Sequence, residues 1–167
     1  MYPYQQLFNF TQEVFLHMGC PPEDARLATE VLLDADLRGV DSHGVARLSG
    51  YVRLWEAGRI NVRPQVKIVH QTPSTATVDG DGGLGLVVAP YAMEVAMGKA
   101  EQVGTGWVSV LNSNHYGIAG YHAMKALQRD MIGISMTNAS PLVAPTFSTD
   151  RMPVSYTHLT LPTICSV

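Results

Sequence analysis

The 167-residue sequence has few of the features that mark several large classes of protein. It has only two cysteines, Cys20 and Cys165, which are too few for a disulfide framework and show no metal-ligand spacing. Charged residues make up 15% of the chain, the net charge is −3 and no basic run occurs, so we expect neither nucleic-acid nor membrane-surface binding. The N-terminus lacks the basic and apolar regions of a signal peptide, and the uncharged stretch from Gly82 to Met93 is too short to cross a bilayer. These absences predict a cytoplasmic protein.

Hydrophobic residues make up 46% of the chain, which is enough to bury a core. Apolar periodicity, with prolines or short polar residues before it and glycines after it, predicts three helices over residues 3–18, 21–37 and 41–57. Beyond them, β-prone runs at 66–69, 75–78, 107–111 and 132–136 alternate with helical patterns at 86–102 and 117–129. The pattern predicts an α/β protein, with a helical unit over residues 1–60 and a mixed, partly parallel α/β layer over residues 61–152.

The stretch DSHGVARLSGY at residues 41–51 concentrates polar side chains that can do chemistry. Asp41 or Ser42 can cap a helix, and the helical period then sets His43, Arg47 and Tyr51 along one edge. An imidazole, a fixed cation and a phenol on one edge could protonate a substrate and bind a carboxylate. The same spacing is also typical of a solvated helix face.

Gly80, Gly82 and Gly85 fit the G-x-G-x-x-G pattern of dinucleotide-binding loops, between a predicted strand and a predicted helix. That site also needs an acidic residue about 20 positions on, at the end of the second strand. Glu101 has this separation but falls at the end of the helix. The pattern therefore favours a glycine-rich turn that allows tight strand–helix packing.

A second polar cluster, residues 112–117, lies between a predicted strand and a predicted helix. Such junctions place side chains at the mouth of an α/β layer. His115 is either a general acid or base there, or a helix-capping residue. His122 is interpreted as structural, and residues 138–141 repeat the arrangement of a polar loop after a strand.

Three long, correctly ordered stretches carry a resemblance to a known family: DSHGVARLSGY at 41–51, NSNHYGIAGYHAMKA at 112–126 and IGISMTNASPLVAP at 132–145. They resemble the malate/L-lactate dehydrogenase family of 2-hydroxyacid and 2-oxoacid oxidoreductases, which lacks a Rossmann fold. The resemblance covers about residues 1–152. It implies NAD or NADP as cofactor, a small carboxylate substrate, and a homodimer with the active site near the subunit interface.

The resemblance also implies roles for individual residues. His43, with Ser42 beside it, matches a histidine proposed as the acid in some members, whereas His115 matches the proton acceptor of others, so the choice between them stays open. Arg47 would bind the substrate carboxylate through a two-pronged contact, and Tyr51 would line the same pocket. The residues expected near the cofactor are Asn138, Ala139 and Ser140, and no metal is implied.

The sequence departs from the family after Met152, where the resemblance expects a Leu-Gly-Thr-Asn-Pro segment. Residues 154–163 instead read VSYTHLTLPT, which matches the translation of a transposase sequencing adapter. We therefore expect residues 153–167 to be a non-native tail, to be excluded from fold reasoning, on a truncated and inactive fragment of the enzyme. Sequencing the source DNA beyond codon 152 from an independent library checks this, since recovery of the same tail would contradict it.

Two other functions are compatible with parts of the sequence. Residues 1–60 could be a non-catalytic helical interaction module with an unrelated α/β unit behind it. A metal hydrolase using His43, His115 and His122 is disfavoured, because these histidines show no compact ligand spacing with a carboxylate.

Overall fold

The computed structural model describes residues 2–138, 141–143, 152–153 and 156–160 of the chain. Its helices are α1 (Tyr4–His17), α2 (Pro22–Leu37), α3 (Leu48–Glu56), α4 (Gly85–Val103) and α5 (Ala119–Met124). Its strands are β1 (Lys67–Gln71), β2 (Thr75–Gly83), β3 (Trp107–Ser113), β4 (Gly133–Thr137), β5 (Pro141–Val143), β6 (Met152–Pro153) and β7 (Tyr156–Thr160). The predicted α/β class is confirmed. In the described part of the chain, no helix combines the length and apolar character that a membrane span requires.

The first two helices lie where the sequence predicts them, because their end signals are local. Pro3 precedes α1 and Pro22 is the first residue of α2, where a missing N–H costs no helical hydrogen bond. Gly19 and Gly39 follow the two helices with φ of +96° and +70°, a left-handed conformation that glycine adopts without strain.

The third predicted helix is wrong over its first half. Asp41–His43 and Val45–Arg47 form two separate 3₁₀ turns, and the α-helix begins only at Leu48. The break falls at Gly44, where φ is −89° and ψ is −149°. The expected capping by Asp41 or Ser42 is also wrong, because Asp36 of α2 accepts the hydrogen bond of the Val45 N–H at 2.8 Å.

Asp36 therefore sets the path of the chain into the polar segment. We expect Asp36→Ala to lower the free energy of unfolding by about 1–2 kcal/mol, the usual cost of removing a helix-capping side chain. Asp36→Asn, which keeps an acceptor oxygen, should cost less than half of this. Asp34→Ala is the matched control on the same helix, since the ion pair of Asp34 with Arg38 is exposed and should contribute under about 1 kcal/mol. Urea denaturation of the variants measures these differences, and equal losses for Asp34→Ala and Asp36→Ala would contradict the capping role.

One mixed sheet with the order β1-β2-β3 forms the centre of the α/β part. Strand β1 pairs with β2 in antiparallel orientation, whereas β2 and β3 pair in parallel. The parallel strands are connected by the crossover helix α4. The mixed, partly parallel layer predicted from the sequence is therefore present.

The glycine-rich segment belongs to strand β2, so the prediction of a turn is wrong. The strand continues to Gly83, with Asp81 and Gly82 in the left-handed region at φ of +51° and +69°. The predicted tight packing of strand on helix is present, because a Cβ at Gly80 would lie 3.0 Å from Cγ1 of Val88 on α4.

The last part of the described chain contains one corrected helix and three strands that were not predicted. The helix predicted over residues 117–129 is split into α5 and a 3₁₀ segment, Lys125–Arg129. Strand β4 pairs antiparallel with β7, which lies in the expected non-native tail, and β5 pairs with β6. The non-native origin of the tail stays a prediction.

One hydrophobic core joins the N-terminal helices to the α/β part. Phe15 of α1 and Val31 and Leu32 of α2 are completely buried, and they belong to the same core cluster as Leu86 of α4. Each such side chain contributes about 1.5–3 kcal/mol by leaving water. The helices predicted as a separate unit therefore share their core with the α/β part, and the boundary at residue 60 stays a prediction.

Candidate functional site

A tyrosine from α3 and a histidine from the loop after β3 meet in the polar cluster. The Tyr51 hydroxyl oxygen lies 2.7 Å from Nδ1 of His115. Tyr51 is only 3% exposed, because its ring packs in the core near Phe15, whereas His115 is exposed. The backbone N–H of Gly117 donates to the same His115 Nδ1 at 3.3 Å.

His43, the other histidine predicted to be catalytic, also lies beside His115. The ring of His43 stacks on the ring of His115, with 5.6 Å between centroids and 27° between planes. The Ser42 hydroxyl lies 3.0 Å from Nδ1 of His43. His43 is on a 3₁₀ turn, so the prediction that it shares one helix edge with Arg47 and Tyr51 is wrong, although the tertiary fold still brings the two histidines together.

Arg47 is anchored at one nitrogen and exposed elsewhere. Its Nε donates to the carbonyl oxygen of Ser42 at 2.6 Å. Because Nε is engaged, a carboxylate would meet the two terminal Nη groups end-on. This geometry still allows the two-pronged contact that a planar guanidinium makes with a carboxylate.

Partial burial and nearby charges favour a neutral His115. Partial burial of the imidazole ring, then the neighbouring His43 and Arg47, lower the pKa of His115 to about 4. Burial raises the pKa of Tyr51 well above its ordinary value, against a weaker opposing effect of Arg47. At neutral pH the site therefore contains an uncharged imidazole next to a protonated phenol.

The loop that carries His115 is fixed by contacts that the sequence analysis missed. The side-chain amide of Asn114 donates to the carbonyl oxygens of Gly82 and Gly83 at 2.8 and 3.1 Å. Gly85, at the start of α4, lies so close that a Cβ there would be 2.6 Å from the carbonyl oxygen of His115. The glycine pattern around Gly85 was the signal for this contact. Nothing in the sequence indicated that the Gly117 N–H would donate to Nδ1 of His115.

The residues predicted to approach the cofactor are only partly described. Asn138 is exposed just after β4, and its side chain makes no hydrogen bond within residues 2–138. Ala139 and Ser140 lie outside the described residues. Their assignment to the cofactor stays a prediction.

His122 has a structural position, as expected. It is 2% exposed, stacks on Tyr116 with 4.8 Å between centroids, and donates from Nε2 to the Tyr116 carbonyl oxygen at 2.7 Å. Its Nδ1 is buried without a hydrogen-bond partner. No group of three His, Cys, Asp or Glu side chains in the described part of the chain could hold a metal ion.

Burial of His122 makes a prediction about acid stability. Burial lowers the pKa of His122 from 6.5 to about 4, so the unfolded chain takes up a proton at higher pH than the folded chain. Stability is therefore complete above pH 6.5 and falls as the pH drops toward 4. We expect His122 to account for about 2–3 kcal/mol of the loss in unfolding free energy between pH 7.5 and 4.5.

His122→Gln tests this, because glutamine keeps an N–H donor for the Tyr116 carbonyl but does not titrate. Urea denaturation at the two pH values should show a smaller difference for this variant than for the wild type. His70→Gln, at an exposed position on β1, is the matched control. An unchanged pH difference in His122→Gln would show that His122 does not cause it.

Comparison with known proteins finds a matching family model and several similar proteins. The family model described as malate/L-lactate dehydrogenase matches residues 2–153. The chain is 51% identical over 150 residues to a malate dehydrogenase of Pyrococcus abyssi, covering 90% of this chain and 41% of that protein. It is 48% identical over 133 residues to an L-sulfolactate dehydrogenase of Methanocaldococcus jannaschii, covering 80% of this chain and 39% of that protein.

A solved structure shows the same fold. The structure of malate dehydrogenase from Pyrococcus horikoshii OT3 superimposes with a TM-score of 0.91 at 46% sequence identity, over 98% of this chain and 47% of that one. The chain therefore spans about two fifths of the length of these curated relatives and about half of the solved chain.

Proposed function

The chain belongs to the malate/L-lactate dehydrogenase family, and from that premise we propose that it is part of an NAD- or NADP-dependent oxidoreductase of small 2-hydroxy and 2-oxo acids. The observation that carries the proposal is the meeting of His43 and His115 in one stacked pair beside Arg47. A carboxylate anchor and a proton-transfer group at one place are what a 2-hydroxy or 2-oxo acid requires. The relatives named as malate and sulfolactate dehydrogenases support this substrate class.

We assign substrate binding to Arg47 and the contacts with the C2 oxygen to the two histidines, of which one transfers the proton and the other donates a hydrogen bond. The Nη groups of Arg47 would bind the C1 carboxylate, and the stacked rings would face the C2 oxygen. Ser42 orients His43 through the hydrogen bond to its Nδ1. The negative charge of a bound carboxylate would offset the charge of Arg47, which is one of the causes that lower the pKa of His115.

A nicotinamide cofactor would supply the hydride chemistry at C2 of the substrate. Asn138 fits such a group, because its exposed amide has both a donor and an acceptor for the carboxamide of a nicotinamide. Ala139 and Ser140 are proposed to approach the same cofactor on the strength of the family resemblance.

The test is oxidation of NADH and NADPH, followed by absorbance with pyruvate and oxaloacetate as substrates, by a full-length version of the enzyme that contains residues 1–152, since we expect the truncated chain itself to be inactive. The double variant His43→Gln/His115→Gln should lose turnover with both. His17→Gln, whose ring contacts Trp55 on the helical side, is the matched control and should behave as the wild type. Activity that survives in the double variant would contradict the proposal.

Assembly is a separate part of the proposal. We propose a cytoplasmic homodimer with the active site near the subunit interface, as the family resemblance implies. Sedimentation velocity at micromolar concentration tests the dimer, and a monomer over the whole range would contradict it.

A further inference from the structure

The hydrogen bonds at His115 determine which of its ring nitrogens carries the proton. A backbone N–H can only donate, so the Gly117 N–H at 3.3 Å requires a lone pair on Nδ1. The Tyr51 hydroxyl can donate or accept, but at 2.7 Å from a nitrogen that already presents its lone pair it must donate. The neutral ring then carries its single proton on Nε2.

We propose that Tyr51 is a positioning residue: together with the Gly117 amide, its hydroxyl holds His115 in the Nε2–H tautomer, so that His115 meets the substrate's C2 oxygen as a hydrogen-bond donor. The part of the inference that concerns the substrate rests on the proposed function. It changes the role predicted for Tyr51, which was to line the substrate pocket.

The placement of Tyr51 supports this role. Its ring is almost completely buried against Phe15, so the hydroxyl is held by the core rather than by the exposed part of the cluster. Burial disfavours the phenolate by raising the pKa of Tyr51, which keeps the O–H available as a donor. The Nε2 atom of His115 has no hydrogen-bond partner within residues 2–138, and His115 itself is exposed, so this N–H can reach a ligand.

The two sides of the ring therefore have different functions. Nδ1 is occupied by two protein donors, and the exposed Nε2–H is left for the substrate. A neutral imidazole in this tautomer polarises a carbonyl oxygen by hydrogen bonding and cannot accept a proton at Nε2. For oxidation of a hydroxyl group, the proton would then pass to His43, whose Nδ1 faces the Ser42 hydroxyl, a group that can donate or accept.

The experiment is a long-range ¹H–¹⁵N NMR correlation spectrum of the full chain, labelled with ¹⁵N-histidine, at pH 7. The signals of His115 are assigned by their loss in His115→Gln. We expect the Nε2–H pattern, with a protonated Nε2 and an unprotonated Nδ1. A wild-type spectrum with the Nδ1–H pattern would overturn the proposal.

Variants separate positioning from packing. Tyr51→Phe keeps the buried ring and removes only the donor, so it should raise the ratio of the Nδ1–H to the Nε2–H form of His115 about fivefold, the effect of one hydrogen bond. Tyr116→Phe is the matched control, because the Tyr116 hydroxyl lies 3.3 Å from Ser135 and contacts no histidine nitrogen. An unchanged tautomer ratio in Tyr51→Phe would also overturn the role of Tyr51.

A ligand pair tests the donor role apart from the tautomer. Pyruvate should shift the His115 Nε2 signal, whereas propanoate, which has the carboxylate but no C2 oxygen, should not. Equal shifts with both acids would overturn hydrogen bonding to the C2 oxygen. If neither acid binds, the proposed function fails, while the spectrum of the free protein still decides the tautomer and the role of Tyr51.

Discussion

Replacement of Arg47 by methionine is expected to weaken pyruvate binding about 100-fold, the effect of losing two charge-assisted hydrogen bonds. Methionine keeps much of the length and apolar volume of the side chain, so the change removes the fork and its charge. Arg47→Lys should weaken pyruvate binding about 10-fold, because an ammonium group keeps the charge but cannot make the planar two-pronged contact. NMR or calorimetric titration with pyruvate measures the three dissociation constants.

Arg53 offers a closely matched control for this experiment. It lies on α3, is exposed, and donates from Nε to the backbone carbonyl oxygen of Ser49, just as Arg47 donates to that of Ser42. Arg53→Met therefore removes the same kind of side chain and anchor without touching the histidine pair. Pyruvate binding to Arg47→Met within a factor of three of the wild type would exclude Arg47 as the carboxylate anchor.

The same variant has a second expected effect that needs no ligand. The positive charge of Arg47 is one of the causes that lower the pKa of His115, after burial and His43. Arg47→Met should therefore raise the pKa of His115 slightly, and Arg53→Met should leave it unchanged. An NMR pH titration of His115 measures this, and agreement with the binding data would show that Arg47 acts on the same place in both experiments.

The features that could be predicted from the sequence are those fixed by nearby residues. Helices α1, α2 and α4 end at Gly19, Gly39 and Gly104, each with a positive φ that local sequence alone can signal. The break at Gly44 could not be predicted in this way, because the carboxylate that stabilises it comes from Asp36 on a different helix. Strand β2 was likewise predicted too short, since its pairing with β3 carries it through glycines that are usual in turns.

For the candidate site, the sequence identified the side chains but not their arrangement. Its side chains were all singled out in the sequence analysis, His43, Arg47 and His115 by their residue types and by family resemblance. Their arrangement depends on contacts between distant parts of the chain, such as Tyr51 with His115, 64 positions apart. The periodicity of apolar residues does not predict a contact between residues so far apart in the chain. It also does not predict that the Gly117 amide fixes the tautomer of His115.

Gly85→Ala is expected to destabilise the protein strongly. Gly85 begins α4 and is buried, and an added Cβ would overlap the carbonyl oxygen of Asn114 and lie 2.6 Å from that of His115. Both atoms belong to the backbone, so no side-chain rotation can relieve the overlap. We expect a loss of about 3 kcal/mol in unfolding free energy, or about 10 °C in Tm, as for strongly overpacked positions.

Gly98→Ala is the matched control, because it introduces the same methyl group in the same helix. Apart from its chain neighbours and the nearby backbone of its own helix, no atom lies within 4 Å of a Cβ at Gly98, so alanine should raise the free energy of unfolding by up to about 1 kcal/mol through its higher helix propensity. In thermal denaturation followed by circular dichroism, the Tm of Gly85→Ala should therefore fall and that of Gly98→Ala should rise.

Gly85→Ala should also displace the loop of residues 112–117 and weaken the hydrogen bond between Tyr51 and His115, which the NMR signals of His115 report. A Tm for Gly85→Ala equal to that of the wild type would show that the loop can move away from α4, and that α4 does not fix the position of His115.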